Sequence, residues 1–308
     1  MTNILLIEKN KKKLSWKNLI YIADLFEASN VKHLSLLGDE SALHPDIVDY
    51  VLYLLQRNFC VNVVTGGIVT NRILETAQNY LLKIPVENLS FVCNYNHPDF
   101  LTANETKQID KFLTTFSKYI SLNFNLSQKD FELKFLVDTI IKYNLKKHIR
   151  LGLAQPIREQ KNECLTLNEI RGIVENIGNQ LEILEKNRIT LDFGCGMPLC
   201  IFSNNDIGRL FRLNKGKVVF PCCPTIDIDT PTIDIDTDMQ VWTCFPLFAY
   251  EKKSLYDFDN IEDIQKYFSE QHSNLRKDKK GMFEECKTCM YLNELCTGGC
   301  LAQLVNNE

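Results

Sequence analysis

Residues 32–56 read KHLSLLGDESALHPDIVDYVLYLLQ. Lys32–Leu37 has the length and apolar content of a buried strand. Pro45–Gln56 carries its apolar residues at helical spacing, and Pro45 suits a helix start, where its missing N–H costs nothing. The same strand-then-helix unit recurs on both sides. Asn3–Ile7 precedes Trp16–Ala28, Cys60–Thr65 precedes Thr70–Leu82, and Asn88–Cys93 precedes Asn104–Lys118. Ile120–Leu126 then leads into Lys129–Tyr143, His148–Ala154 into Thr166–Lys186, and Ile189–Phe193 closes the series. An unbroken β/α series predicts parallel strands covered by helices. An open doubly wound sheet and a complete or partial barrel both satisfy it, and in either the ligand sites lie at the C-terminal ends of the strands.

The pattern changes near Gly194, where turns, short strands and cysteines replace the long helices. We therefore expect a β/α unit over residues 1–193 and a smaller cysteine-rich unit over 194–308. Of twelve cysteines, only Cys60, Cys93 and Cys164 precede residue 190, and nine fall between Cys195 and Cys300. Core packing would scatter them, whereas metal binding gathers them. Cys60 and Cys93 lie in apolar strand-like runs and read as core residues.

The densest group is Cys286-Lys-Thr-Cys289 followed by Cys296-Thr-Gly-Gly-Cys300, four thiols within 15 residues. Gly298 and Gly299 allow the tight turn that brings Cys296 and Cys300 to one side. Cys195, Cys200, Cys222, Cys223 and Cys244 could add ligands from upstream. One tetrahedral zinc would use four of these thiolates, and the surplus favours an iron–sulfur cluster.

Formal net charge is −4, from 35 basic and 39 acidic residues, which gives no basic excess for a nucleic-acid partner. No apolar run approaches the roughly 20 residues of a membrane span. The start Met1–Glu8 lacks the basic segment and cleavage site of a signal peptide, so the expectation is a cytoplasmic protein with reduced thiols. The five histidines are scattered and form no ligand spacing. Pro224-Thr-Ile-Asp-Ile-Asp-Thr230 recurs unchanged as residues 231–237. Without the oxygen-ligand spacing of a calcium loop, it reads as a duplication lengthening a β-hairpin. Asn123 and Asn125 share one face of their strand, as a ribose-facing pair or as two core amides.

The cysteine run resembles the SPASM (twitch-type) extension of radical S-adenosylmethionine enzymes. In that family a cysteine precedes a β-hairpin, another follows it, and a Cys-x2-Cys…Cys-x3-Cys element comes next. Here Cys222 or Cys223 would precede the hairpin, Cys244 would follow it, and Cys286, Cys289, Cys296 and Cys300 complete the run. The family's usual last cysteine has no counterpart among the residues after Cys300. Upstream, Gly38-Asp39-Glu40-Ser41 resembles the family's Gly-Gly-Glu-Pro segment, with Gly38 and Glu40 retained. Thr65-Gly66-Gly67 lies where the family often carries Thr-Asn-Gly, and residues 148–156 resemble a later barrel strand bordering the nucleoside.

The resemblance covers roughly residues 31–300. It implies an α/β fold with a partial (β/α)6 barrel, and at least one auxiliary [4Fe–4S] cluster on the cysteines just named. S-adenosylmethionine would bind through Gly38, Glu40, Asn123 and Asn125. A peptide or protein substrate and an electron donor such as a flavodoxin or ferredoxin are the implied partners. The family's defining Cys-x3-Cys-x2-Cys loop after the first strand is absent, because Glu8-Lys9-Asn10-Lys11-Lys12-Lys13 runs straight towards Trp16. An ammonium group has no lone pair to give iron. The alternative reading is therefore a non-catalytic iron–sulfur or zinc protein that binds a peptide or partner enzyme.

Overall fold

The computed structural model describes residues 2–8, 11–156, 165–194, 196–217, 232–279, 281–292 and 296–306. Strands β1 (Thr2–Ile7), β2 (His33–Gly38), β3 (Cys60–Thr65), β4 (Leu89–Asn94), β5 (Ile120–Leu126), β6 (His148–Leu153) and β7 (Thr190–Phe193) are all parallel. They neighbour one another in chain order. A doubly wound sheet would reverse that order at a switch point. Winding in one direction with right-handed crossovers puts the connecting helices on one side of the sheet, as in an incomplete barrel.

The helices are α1 (Trp16–Ala28), α2 (Ile47–Gln56), α3 (Asn71–Asn79), α4 (Ala103–Thr115), α5 (Lys134–Tyr143), α6 (Leu167–Asn187) and α7 (Asn204–Leu213). Strand alternation separates the two faces. Val61, Val63, Leu89, Phe91, Leu122, Ile149, Leu151 and Leu191 are buried, on the side of the sheet that carries the core. Phe91 meets Phe112 and Phe116 of the α4 layer with ring centroids 5.3 and 4.8 Å away. Capping boxes start two helices: Thr102 with Glu105 at α4, and Thr166 with Glu169 at α6. Each satisfies amide donors that have no partner within the helix.

The cysteine-rich part is joined to the barrel by strand pairing. After α7, β8 (Ile233–Ile235) lies parallel to β1, with Asn3 opposite Asp234. It returns through a tight turn as β9 (Gln240–Trp242), which pairs with β10 (Lys253–Ser254). The described sheet thus has ten strands. Helix α8 (Ile261–Lys279) follows, and α9 (Leu301–Asn306) comes after the last cysteine.

The second copy of the duplicated heptad supplies β8. Asp236 caps its own turn, accepting the amides of Asp238 at 2.9 Å and Gln240 at 2.8 Å. This copy therefore forms part of a β-hairpin. The first copy lies outside the described residues. Cys93 is fully buried, as expected, but Cys60 is only half-buried: it starts β3 at the sheet's rim, its thiol 3.9 Å from the Asn88 amide oxygen.

Candidate functional site at the C-terminal ends of the strands

The inner face of the barrel has two polar zones with an apolar floor between them. The first crosses the N-terminal half of the strands. Asn3 donates to the Asp234 carboxylate at 2.6 Å, Asn62 donates to Ser35 at 3.3 Å, and Ser90 donates to Asn62 at 3.0 Å. Register explains this row, since Asp234, Asn3, Ser35, Asn62 and Ser90 occupy matching positions on consecutive strands. Asp234 is wholly buried with one such donor, and burial pushes its carboxyl up to about 7. Leu5, Leu37, Val64 and Val92 form the next row.

The second zone lies towards the C-terminal ends. Asn123 donates to Asn94 at 2.9 Å and to Asn125 at 3.1 Å. Arg150 stands opposite Asn123 in the register and Asp192 opposite Arg150. Gly152 and Gly194 leave room for two long polar groups: a side chain at Gly152 would strike the Asn125 amide, and one at Gly194 would lie 2.9 Å from Arg150 Nε. His148 shares its Nδ1 with the Thr190 hydroxyl at 2.9 Å. Asn125 and Asp192 are exposed, so this side of the inner face is open.

Glu40 and Gly38 stand at the ends of the strands, as the sequence placed them. Both oxygens of Glu40 are engaged: Thr65 Oγ1 donates at 2.5 Å, Gly66 N–H at 2.7 Å and Ala42 N–H at 3.3 Å. Burial raises its carboxyl above the usual range, against the lowering effect of these three donors. Gly67 donates to Thr65 Oγ1 at 3.0 Å and packs on the Cys93 sulfur, 3.5 Å from where its own Cβ would be. Burial and the nearby Glu40 push the Cys93 thiol up, so it stays protonated. Gly38 has φ +152°, and an added Cβ would strike the Ile7 carbonyl oxygen and lie 2.9 Å from Ile7 N. The glycine is therefore required by the close approach of β1 and β2.

The described residues flanking the turn after β1 are bonded to one another. Leu14 N–H donates to Leu6 O at 2.9 Å, Glu8 N–H to Lys12 O at 3.0 Å, and Ile7 bridges Lys13. Ser15 then caps α1, accepting from Asn18 N–H at 3.2 Å. The turn is strapped to the β8–β9 hairpin: Thr237 donates through its hydroxyl and its amide to Glu8, Asn18 donates to Thr237 O at 3.2 Å, and Lys12 pairs with Asp238. β1 and α1 contain no thiol. The residues present do not fit a cluster at this turn.

The cysteine-rich end does offer soft donors. The Cys286–Cys289 turn is closed by Cys289 N–H on Cys286 O at 3.3 Å. Gly298 N–H points at Cys296 Sγ at 3.4 Å, and Cys300 N–H at the Met282 thioether at 3.2 Å. Gly298 and Gly299 have φ of +75° and +96°, the left-handed turn anticipated from the sequence. Cys244 follows β9, half-buried at φ +66°. Beside it Thr243 Oγ1 shares a 2.8 Å hydrogen bond with His272 Nε2, whose burial lowers its pKa to about 4. Cys195, Cys222 and Cys223 lie outside the described residues. Among the described residues no three His, Cys, Asp or Glu side chains are grouped closely enough to hold a metal ion. None of the described helices is long and apolar enough to cross a membrane.

Three solved structures share this architecture. The chain is similar over 99% of its length to Streptococcus suis SuiB bound to S-adenosylmethionine, with TM-score 0.68, 12% identity and 73% of that chain covered. SuiB bound to its precursor peptide SuiA matches over 99% of this chain and 70% of that one, with TM-score 0.57 and 11% identity. Native anSMEcpe with bound AdoMet and Cp18Cys peptide matches over 97% of this chain and 89% of that one, with TM-score 0.58 and 15% identity. At these identities the likeness is one of fold: the partial barrel of the radical SAM type. No protein-family model matches the sequence, and no curated protein matches it.

Proposed function

We propose that this chain is a radical-SAM-type barrel protein related to peptide-modifying enzymes. It binds S-adenosylmethionine and a peptide on the open inner face, holds an iron–sulfur cluster in its cysteine-rich end, and does not initiate radical chemistry from its own barrel. The observation that carries this reading is the thiol-free sequence between Ile7 and Trp16, whose described residues pair back on one another across the turn. A site-differentiated cluster needs cysteine thiolates, and lysines stand in their place.

The ligand classes are supported by the fold neighbours, two of which hold S-adenosylmethionine and two a peptide. Gly38 and Glu40 would face the methionine end. A carboxylate offers about four acceptor positions, and Glu40 uses three on Thr65, Gly66 and Ala42. One position remains for an ammonium group. Asn123 and Asn125 would meet the nucleoside, and the exposed Asn125–Asp192 side admits a peptide. A cluster in the extension would position that peptide or accept an electron from a flavodoxin- or ferredoxin-type donor.

The test is the formation of 5′-deoxyadenosine by protein carrying a confirmed cluster, given S-adenosylmethionine and a strong reductant, together with calorimetry of S-adenosylmethionine binding. Binding without 5′-deoxyadenosine supports the reading. Product above a heat-killed control would replace it with the enzyme reading, which the fold likeness over 99% of the chain to SuiB favours.

A further inference from the structure

Arg150 puts a positive charge on the inner face of the barrel. The register sets it on β6 between Asn123 of β5 and Asp192 of β7. Its guanidinium lies against the backbone of Gly194, where a Cβ would stand 2.9 Å from Nε, 3.3 Å from Nη2 and 3.4 Å from Cζ. Gly152, two residues along β6, leaves its space to the Asn125 amide. Two glycines thus make room for a guanidinium and an amide on neighbouring strands. Arg150 is half-buried, yet none of the described residues forms a hydrogen bond or ion pair with it. The carboxylate opposite it in the register, Asp192, lies 3.7 Å from His148 Nε2 instead. Asn123 spends its donors on Asn94 and Asn125. A guanidinium carries five N–H donors in a planar fork and no acceptor, and its best match is an anion that brings two coplanar oxygens.

We propose that Arg150 is the carboxylate-binding residue of the peptide site, receiving one acidic side chain or the C-terminal carboxylate of the peptide as a bidentate pair. The inference rests on the reading that the inner face binds S-adenosylmethionine and a peptide. S-adenosylmethionine has a carboxylate of its own, but at its methionine end. Gly38 and Glu40, which would face that end, lie at β2, and β6 is four strands further round. That is about 19 Å along the sheet at about 4.8 Å per strand. The part of the ligand that would meet Asn123 is the nucleoside, which has no carboxylate. Asn125 and Asp192 are exposed, so a peptide can approach Arg150 from this side. The Asp192 charge on the next strand disfavours a second acidic group there, which makes the site one for a single carboxylate.

The test labels the full chain with phenylglyoxal, which modifies free guanidinium groups, and reads Arg150 by peptide mass spectrometry. Three probes compete: acetyl-Gly-Glu-Gly-amide, acetyl-Gly-Gln-Gly-amide, and acetyl-Gly-Gln-Gly with a free carboxyl end. A charge-assisted pair is worth about tenfold in affinity or more. A carboxylate probe should therefore protect Arg150 at about one tenth of the concentration that the neutral amide needs. Protection by the Glu probe alone identifies a side-chain carboxylate, and protection by the free-carboxyl probe a chain end; either result supports the proposal. Arg150→Gln, with wild-type far-ultraviolet circular dichroism, should bind the protecting probe about tenfold more weakly in calorimetry and keep its affinity for S-adenosylmethionine. Equal labelling with all three probes, in a chain that binds S-adenosylmethionine, overturns the proposal and leaves the reading it rests on standing. A tenfold loss of S-adenosylmethionine affinity in Arg150→Gln also overturns it, and gives the residue to that ligand's carboxylate. Protection by a carboxylate probe in a chain that binds no S-adenosylmethionine keeps the carboxylate site and overturns the S-adenosylmethionine reading.

Discussion

The Thr65 hydroxyl donates to the Glu40 carboxylate at 2.5 Å, so a side chain from the loop after β2 fixes the start of the loop after β3. Gly66 N–H, 2.7 Å from the other oxygen, completes the clamp. The two loops that would meet a ligand are thus held to each other before it arrives.

Thr65→Val removes one donor from a mostly buried carboxylate and should cost about 1–3 kcal/mol of stability in urea unfolding. Glu40 has a raised folded pKa, so its contribution is fully present below the unfolded value of 4.5 and is lost as pH rises through the folded one. Glu40→Gln should flatten the part of the stability–pH curve above 4.5. An unchanged curve would show that Glu40 does not titrate there.

Asp234 gives a larger effect with the same sign. Its carboxyl rises from 3.8 to about 7, so it stabilises the fold most below 3.8 and least above 7. Asp234→Asn keeps an acceptor for Asn3 and should raise stability on the order of 2–4 kcal/mol at pH 8, with no gain at pH 3.5. Unfolding curves at the two pH values check it.

Gly38→Ala should lower stability by about 2–3 kcal/mol, because its methyl meets the Ile7 backbone and no flexible side chain can yield. Gly208→Ala in α7, where the nearest atom is an arginine terminus at 3.6 Å, should instead raise it by about 0.5–1 kcal/mol. Thermal unfolding of the pair separates steric conflict from backbone entropy.

Asn123→Ala takes the shared donor from Asn94 and Asn125. It should cost about 1–2 kcal/mol of stability and weaken S-adenosylmethionine binding about 5–10-fold if that face receives the nucleoside. Calorimetry giving wild-type affinity with reduced stability would leave the three amides a purely structural network.

The β/α series was legible because strand and helix periods differ, and each unit buries one apolar face. Helix ends were less so. The helix read as Lys129–Tyr143 begins at Lys134, since the stretch before it is held by Asn176 and Gln180 of α6, whose amides bond the Lys129 and Phe131 carbonyls. Asn123 and Asn125 were identifiable as one-face residues from alternation alone. Their link to Asn94, and the position of Arg150 over Gly194, depend on register between strands far apart in the chain.

The sequence by itself determined the parallel barrel-type pattern, the absence of thiols after the first strand, and the cysteine-rich end, because these rest on periodicity and residue identity within short stretches. Periodicity left the incomplete barrel and the doubly wound sheet open and the family resemblance implied the barrel; the tertiary structure decided it, since strand order follows from which edges pair. It also set β8 against β1 and joined Glu8 to Thr237 and Lys12 to Asp238. Those contacts join residues remote in sequence, and long-range packing, which leaves no local signal, decides them.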